Sequence, residues 1–372
     1  MCFDVFADVK SLYIHWPFCP YRCSYCPFIA FAAHDNFMQN YHNALMKEID
    51  TFFDKVYKSY EIETIYMGGG TPSTYPNQLL LDMFDKLKNK LDFCKISEVT
   101  IEVNPGTIDK KQLALMKSCG INRLSVGVQS LNDSVLKKLN RRQSLADVYD
   151  LLELAPNFFS NISIDLIIGL PGISFKQWCS EVEEICSWPI KHISLYFLSV
   201  HENTKLYFDM QKNKVKIPNE KMAIDMYEYA VETFEKNSFL RYEISNFAKE
   251  GFESKHNKNY WDRKPYKAFG VGACSFDGLS RFENEASLTP YLEKIKMGSS
   301  IVKSKEKLSR RQILLEELML KIRQKSGVFI TEFEKKLSED EKYVFEEKLT
   351  ILKKLGLIDV KNNYVFLTQK GV

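Results

Sequence analysis

The sequence predicts an α/β protein built as a partial (β/α)6 barrel, followed by a C-terminal helical domain that resembles a winged helix. Three observations predict this fold. Over the first 250 of 372 residues, short apolar runs alternate with helical patterns. The runs are rich in β-branched residues, as in strands that a parallel sheet buries on both faces. Near residue 301 the pattern changes to consecutive helices followed by a hairpin.

Six strand–helix units follow one another along the chain, which fits an open barrel better than a closed eightfold one. Uninterrupted apolar runs mark the strands, and apolar residues spaced three to four apart mark the helices. The predicted strands are 11–16, 61–67, 98–103, 123–128, 162–168 and 192–200. The predicted helices are 37–57, 77–91, 109–119 and 220–236, with two more that begin at Asp133 and Phe175.

The C-terminal segment, residues 301–372, is predicted to hold three helices and a β-hairpin. The helices are 312–323, 330–336 and 340–355, and the strands are 357–360 and 364–367, joined at Asn362-Asn363. The segment carries a net charge of +5. This charge is typical of a solvated accessory domain or of a nucleic-acid surface. We favour the accessory domain and expect no nucleic-acid partner.

The composition is that of an ordinary globular protein, with 45% apolar and 27% charged residues and a net charge of +3. These values exclude a collagen-like, disordered or membrane-embedded chain, and we expect no membrane span. The first ten residues carry two aspartates and no long apolar run, so we expect no signal peptide and a cytoplasmic protein. Nine cysteines in such a protein suggest metal binding rather than disulfides.

Three of these cysteines, Cys19, Cys23 and Cys26, form a C-x3-C-x2-C pattern directly after the first strand. No histidine follows them closely, so a structural zinc site would need a distant fourth ligand. Three thiolates suit a [4Fe–4S] cluster in which one iron has no protein ligand. From spacing alone, a zinc site and a chance arrangement stay open beside the cluster.

Polar residues recur where the predicted parallel strands end. GGGTP at residues 68–72 follows the second strand, Glu102 and Asn104 end the third, Gln129 ends the fourth, and Asp165 lies in the fifth. The carboxyl ends of parallel strands converge on one side of the sheet. Polar groups buried there need partners, which a shared ligand or the local backbone can supply. Consecutive glycines also let a ligand approach the backbone, although a bare turn would explain them equally.

The segment CPYRCSYC at residues 19–26 resembles the signature of the radical S-adenosylmethionine (SAM) family. The resemblance implies that the three cysteines hold a [4Fe–4S] cluster and that SAM chelates its fourth iron. Electron transfer to SAM then yields an adenosyl radical. Tyr25, the aromatic residue before the last cysteine, also matches the family pattern.

From Ser11 to about Phe276 the chain resembles the branch of this family that includes oxygen-independent coproporphyrinogen III dehydrogenases and the HemW heme chaperones. In that branch the tyrosine of SLYIH, the GGGTP segment and the glutamate of IEVNP contact the first SAM. These roles carry over to Tyr13, Gly69 and Glu102. Dehydrogenases also bind a second SAM, whose contacts would fall on Tyr25, Gly70, Thr71, Gln129, Arg141 and Asp165.

Two features separate the two subfamilies. Dehydrogenases continue the cluster motif with a fourth cysteine, whereas here Phe28 occupies that place, as in the heme-chaperone form. The motif HNKNYW at residues 256–261 matches a chaperone motif implicated in heme binding, which implies His256 as a heme contact. From the residues alone, His256 could equally be hydrogen-bonded within the fold.

The resemblance therefore predicts a protein that binds heme and passes it to an acceptor protein, with a cellular electron donor for its cluster. The alternative is a dehydrogenase that converts two propionates of coproporphyrinogen III to vinyl groups. No catalytic residue is assigned. We expect a core of residues 1–238, a connecting region of residues 239–300 that contains HNKNYW, and a C-terminal domain of residues 301–372.

Overall fold

The computed structural model describes residues 9–55 and 61–372. Within them, the strands are β1 (Ser11–Trp16), β2 (Phe18–Cys19), β3 (Phe31–Ala32), β4 (Thr64–Gly69), β5 (Glu98–Val103), β6 (Arg123–Gln129), β7 (Asn161–Ile168), β8 (His192–Phe197), β9 (Leu240–Glu243), β10 (Asn246–Ala248), β11 (Tyr266–Phe269), β12 (Cys274–Phe276), β13 (Ser280–Asn284), β14 (Val302–Lys307), β15 (Val328–Phe329), β16 (Ile358–Lys361) and β17 (Tyr364–Leu367). The α-helices are α1 (Met38–Lys55), α2 (Asn77–Lys90), α3 (Lys110–Ser118), α4 (Asp133–Lys138), α5 (Leu145–Leu154), α6 (Phe175–Cys186), α7 (Lys205–Gln211), α8 (Glu220–Lys236), α9 (Lys255–Trp261), α10 (Leu288–Met297), α11 (Arg310–Ile322), α12 (Ile330–Glu334) and α13 (Glu339–Lys354).

One large sheet organises most of the chain, in the order β14-β13-β12-β11-β1-β4-β5-β6-β7-β8-β10-β9. The strands β1, β4, β5, β6, β7 and β8 run parallel to one another in sequence order. Helices connect them, because parallel neighbours need a crossover. This arrangement confirms the predicted partial (β/α)6 barrel. Its core is one apolar cluster that includes strand residues and the inner faces of the helices.

The sequence does not predict the strands that widen this sheet. β11 pairs in parallel with β1, and β12 to β14 continue from it as antiparallel strands. At the other end, β10 pairs antiparallel with β8. All of these strands except β14 are shorter than the first six, and β14 is exposed along its whole length, so they lack the buried apolar runs that marked the first six.

Some element bounds differ from the predicted ones for local reasons. The helix predicted from Asp133 is two helices, because Asn140 adopts a left-handed conformation with φ 55° after α4. Ser144 then caps α5 by accepting a hydrogen bond from the Asp147 backbone. The strand predicted at 61–67 is β4, which begins at Thr64 and includes two glycines. The last two residues of the helix predicted at 37–57 lie outside the described residues.

Residues 310–367 fold around their own apolar cluster and contain the three predicted helices and the hairpin, whereas β14, at the start of the C-terminal segment, joins the large sheet. Helices α11, α12 and α13 pack with a three-stranded sheet in the order β15-β17-β16. Asn362 and Asn363 have φ values of 50° and 65°, which is the left-handed pair that a tight hairpin turn requires. In the described part of the chain, no helix has both the length and the apolar character needed to cross a membrane.

Candidate functional site

A cavity of about 430 Å³ opens at the carboxyl ends of the parallel strands. The sequence-predicted residues line it except Tyr13 and His256, which lie outside its lining. The predicted residues in the lining are Cys19, Cys23, Tyr25, Cys26, Gly69, Gly70, Thr71, Glu102, Gln129, Arg141 and Asp165. Residues separated by up to 146 positions in the sequence therefore face a single space, because parallel strands end on the same side of the sheet.

The cysteines lie on a loop that folds back on itself. Cys19 ends β2, and β2 pairs in parallel with β3 across the loop. The Arg22 guanidinium closes it by donating to the carbonyl oxygens of Ala30 at 3.1 Å and Phe28 at 3.2 Å. This loop holds all three thiols partly exposed to the cavity. Sequence reasoning missed Arg22, which carries no signal beyond its position between two of the cysteines.

Burial favours the protonated form of two of these thiols. Burial raises the pKa of Cys19 to about 11, although a hydrogen bond from the Thr71 hydroxyl partly opposes this rise. Burial also raises the pKa of Cys26. A metal centre would supply the positive charge that ionises such thiols, since only the thiolate is a metal ligand.

Arg141 brings a buried positive charge to the third thiol. Its guanidinium Nη1 lies 3.8 Å from Cys23 Sγ. Nη2 donates to Asn104 Oδ1 at 2.8 Å and to the Gly127 carbonyl at 2.5 Å, and Nε donates to Gln143 at 2.8 Å. These contacts fix the guanidinium within the protein. A second SAM at Arg141 would have to replace some of them, so that role stays a prediction.

The donor set fits a [4Fe–4S] cluster. Within residues 9–55 and 61–372, no three His, Cys, Asp or Glu side chains converge as ligands of a single metal ion. A cluster bonds each cysteine through a different iron, so its thiols need not converge on one point. Cys19, Cys23 and Cys26 would hold such a cluster, and when bound it supplies the electron for reductive chemistry on SAM.

The glycine triplet lets the end of β4 pass close to β1 and β2. Gly69 has φ 120°, and a Cβ there would lie 2.6 Å from the His15 ring. A Cβ on Gly70 would lie 2.7 Å from the Phe18 carbonyl oxygen. The Gly70 amide donates to the Trp16 carbonyl at 2.7 Å. Glycine is therefore needed here because the backbone of the GGGTP segment packs directly against the backbone that leads into the cysteine loop.

Two partly buried carboxyl groups face the cavity from β5 and β7. Glu102 accepts hydrogen bonds from the Tyr66 hydroxyl at 2.9 Å and the Gly69 amide at 3.1 Å. Burial, reinforced by the nearby charge of Asp165, raises the pKa of Glu102 to about 7. Burial also raises the pKa of Asp165, against hydrogen bonds from Ser194 and Ser125. A ligand with ammonium and sulfonium charges, such as SAM, would relieve the cost of ionising both groups.

Tyr13 lies behind the cavity rather than in it. Its hydroxyl is 3.1 Å from His15 Nδ1, and His15 Nε2 is 3.0 Å from the Ile29 carbonyl oxygen. Burial lowers the pKa of His15 to about 4, which keeps the ring neutral. Tyr13 and His15 thus connect β1 to the end of the cysteine loop. The part of Tyr13 in SAM binding stays a prediction.

His256 is buried on α9, only 1% exposed. Its Nδ1 is 2.8 Å from the Thr64 hydroxyl and its Nε2 is 2.9 Å from the Tyr260 hydroxyl. Burial lowers its pKa to about 3. Both ring nitrogens therefore have partners within the fold, which is the hydrogen-bonded arrangement that the residues alone left open. Heme ligation through either nitrogen of His256 would require one of these hydrogen bonds to break, and its role as a heme contact stays a prediction.

Comparisons with known proteins agree with this architecture. The model of the Radical SAM superfamily matches residues 13–185, and the model of the HemN C-terminal domain matches residues 308–372. The fold is similar to that of coproporphyrinogen III oxidase (HemN) from Escherichia coli, a radical SAM enzyme. The TM-score is 0.86 at 21% identity, over 99% of this chain and 89% of that chain. At this identity the likeness shows the fold.

Curated relatives extend the similarity over nearly the whole chain. The sequence is 34% identical to the heme chaperone HemW of Lactococcus lactis, over 97% of this chain and 94% of that protein. It is 33% identical to the heme chaperone HemW of Bacillus subtilis, over 98% of this chain and 96% of that protein. With the motifs and cavity described above, these matches show that the chain belongs to the HemW family of radical SAM proteins.

Proposed function

We propose that this protein is a cytoplasmic heme chaperone. It binds heme and passes it to an acceptor protein, and it carries a [4Fe–4S] cluster with SAM at the open iron. A cellular electron donor reduces the cluster. The support comes from relatives named heme chaperones, which match the chain from end to end.

The observation that carries the proposal is the residue two places after the last cysteine. Phe28 occupies the position where the dehydrogenase pattern has a fourth cysteine. Its side chain is 66% exposed and lines the cavity. An exposed aromatic ring there offers apolar surface to a flat ligand and no thiol for chemistry. The site is therefore better suited to holding a macrocycle than to the dehydrogenase reaction.

A second candidate is oxygen-independent coproporphyrinogen III dehydrogenase, which oxidatively decarboxylates two propionates to vinyl groups. The completeness of the cavity favours it, because the cysteines and the residues expected to contact SAM lie together. The missing thiol argues against it.

Side-by-side assays of one preparation test both functions. The protein is reconstituted anaerobically with iron and sulfide, then titrated with hemin and, separately, supplied with coproporphyrinogen III, SAM and a reductant. We expect a Soret shift on hemin addition and no SAM-dependent protoporphyrinogen formation. A variant with all three cluster cysteines replaced by alanine serves as the cluster-free control. Turnover without hemin binding would overturn the proposal in favour of the dehydrogenase.

A further inference from the structure

In the described part of the chain, His201 has both ring nitrogens available for a ligand. It lies in the loop between β8 and α7, is exposed, and lines the same cavity as the cysteines. Within residues 9–55 and 61–372, no hydrogen bond or ring contact involves its imidazole. Each of the other five histidines has at least one ring nitrogen bonded to a protein group; they are His15, His34, His42, His192 and His256.

The backbone around His201 is fixed although its ring is free. The Thr204 amide and hydroxyl both donate to the His201 carbonyl, at 3.0 and 2.6 Å. The Leu206 amide donates to the Ser24 carbonyl at 2.8 Å, and Ser24 lies between two of the cysteines. These bonds hold the His201 loop against the cysteine loop. A metal bound by this imidazole would therefore lie at the mouth of the cluster cavity.

Exposed aromatic side chains surround the same opening. Phe28 is 66% exposed and Phe197 is 44% exposed, and both line the cavity. Exposed aromatic groups that converge on a cavity are typical of a binding surface rather than of a solvated one. Phe28 comes from the cysteine loop and Phe197 from the end of β8, so the two rings flank the opening from different elements.

We propose that His201 is an axial ligand of the heme iron, with Phe28 and Phe197 packing against the macrocycle. This assignment rests on the proposed function, since it requires that the protein bind heme. A free imidazole beside apolar walls is the usual protein site for heme iron. Ligation by His201 breaks no hydrogen bond of the fold, whereas ligation by either nitrogen of His256 breaks one buried hydrogen bond. The assignment places the axial ligand at the cavity mouth, where Asn257 of HNKNYW lines the same cavity.

Hemin titrations of the wild type and of His201→Ala test the assignment. We expect the variant to bind hemin about tenfold or more weakly, because the iron loses one protein ligand. The histidine-ligation signature in the absorption and resonance Raman spectra should disappear, and free imidazole should restore it. His34→Ala is the matched control, because His34 is partly exposed and lies outside the cavity lining. It should bind hemin as the wild type does.

Iron-free protoporphyrin IX separates the ligand from the aromatic walls. Its affinity should be unchanged in His201→Ala and reduced in Phe28→Ala, since it lacks the metal that His201 binds. A His201→Ala protein with wild-type hemin affinity and spectrum would overturn the assignment and leave the heme-chaperone function standing. The assignment would also be overturned if a folded His256→Ala protein lost the ligation signature while His201→Ala kept it. A wild-type protein that does not bind hemin would overturn both the assignment and the proposed function.

Discussion

Arg141 illustrates how single residues set the electrostatics of this site. Its guanidinium is buried, and its Nη1 atom lies 3.8 Å from the Cys23 Sγ atom. Charges in such surroundings interact strongly because little water screens them. Cluster potentials respond to nearby charge and to hydrogen bonds to the sulfurs. The buried cation therefore favours the reduced, more negative form of a cluster at Cys23.

Replacing Arg141 by glutamine should make the cluster harder to reduce. We expect the reduction potential of the reconstituted protein to fall by about 50–100 mV, because one positive charge next to a cluster ligand is removed. A redox titration followed by electron paramagnetic resonance measures it. Arg142→Gln removes the neighbouring exposed guanidinium, which lies over the Tyr21 ring. Equal potentials in the two variants would contradict the role given to Arg141.

Glu102 makes stability depend on pH in a direction opposite to that of most carboxylates. Its pKa is raised from 4.5 to about 7 in the folded protein, so the folded state keeps a proton that the unfolded state has released. Stability is therefore lost as pH rises from about 4.5 to 7. In the cofactor-free protein, Glu102→Gln should be more stable than the wild type at pH 8 by about 3 kcal/mol, with a smaller gain at pH 5.

Urea unfolding at both pH values measures this difference. Glu153→Gln, an exposed position on α5, should show no gain at either pH. A Glu102→Gln protein that gains equally at pH 5 and pH 8 would show that the effect does not come from ionisation.

At the scale of elements, the short helix α9 is held by a carboxylate on another strand. Glu98, on β5, accepts hydrogen bonds from the backbone amides of Lys255 at 2.9 Å and His256 at 3.1 Å. These amides begin α9 and have no partner within the helix. The negative charge also complements the positive end of the helix. The position of the HNKNYW motif therefore depends on a residue more than 150 positions away.

Replacing Glu98 by alanine should loosen this helix. We expect a loss of about 2–4 kcal/mol in the free energy of unfolding, because several buried donors lose their acceptor. Hydrogen exchange in residues 254–261 should become faster. Glu63→Ala is the control, since Glu63 is a partly exposed partner of Lys10 at 3.7 Å. Equal exchange in both variants would show that Glu98 does not hold the helix.

Element prediction succeeded where the signal was local. The six parallel strands and their helices follow from apolar runs of four to eight residues and from helical spacing. The Asn362-Asn363 turn followed from two residues that tolerate left-handed angles. The added strands β9 to β14 could not be predicted in this way. They are partly polar, and all except β14 have five residues or fewer, so their neighbours in the sheet decide that they form.

At the scale of the whole molecule, two apolar cores are joined through charged groups. Arg323, just after α11, donates to the buried Glu243 at the end of β9, at 2.9 Å from Nε and 2.7 Å from Nη2. Its guanidinium also lies 3.9 Å from the centre of the Trp261 ring. The backbone of Lys325 donates to the Tyr242 carbonyl at 2.9 Å. The C-terminal segment is thereby attached to the strand edge and to the HNKNYW helix.

Replacing Arg323 by alanine should separate the two parts. The Glu243 side chain is 0% exposed, so it would be left as an unpaired buried charge at a cost of about 3–5 kcal/mol. Limited proteolysis should then release the C-terminal segment earlier, and urea unfolding should show two transitions. Arg310→Ala removes an exposed pair with Glu341 inside the C-terminal segment and should leave the unfolding curve close to that of the wild type. A single unshifted transition in Arg323→Ala would contradict this attachment.

The sequence by itself determined the kind of fold and the cluster motif. Three cysteines within eight residues lie on one loop, and alternation of strands and helices predicts a parallel sheet whose strands end on the same side. The tertiary structure alone decided which groups meet across that sheet. The register of β4, β5 and β7 brings Glu102 to the Gly69 amide and near the charge of Asp165, and packing buries His256 while leaving His201 free. Burial and charge depend on residues far apart in the chain, so no local pattern reveals them.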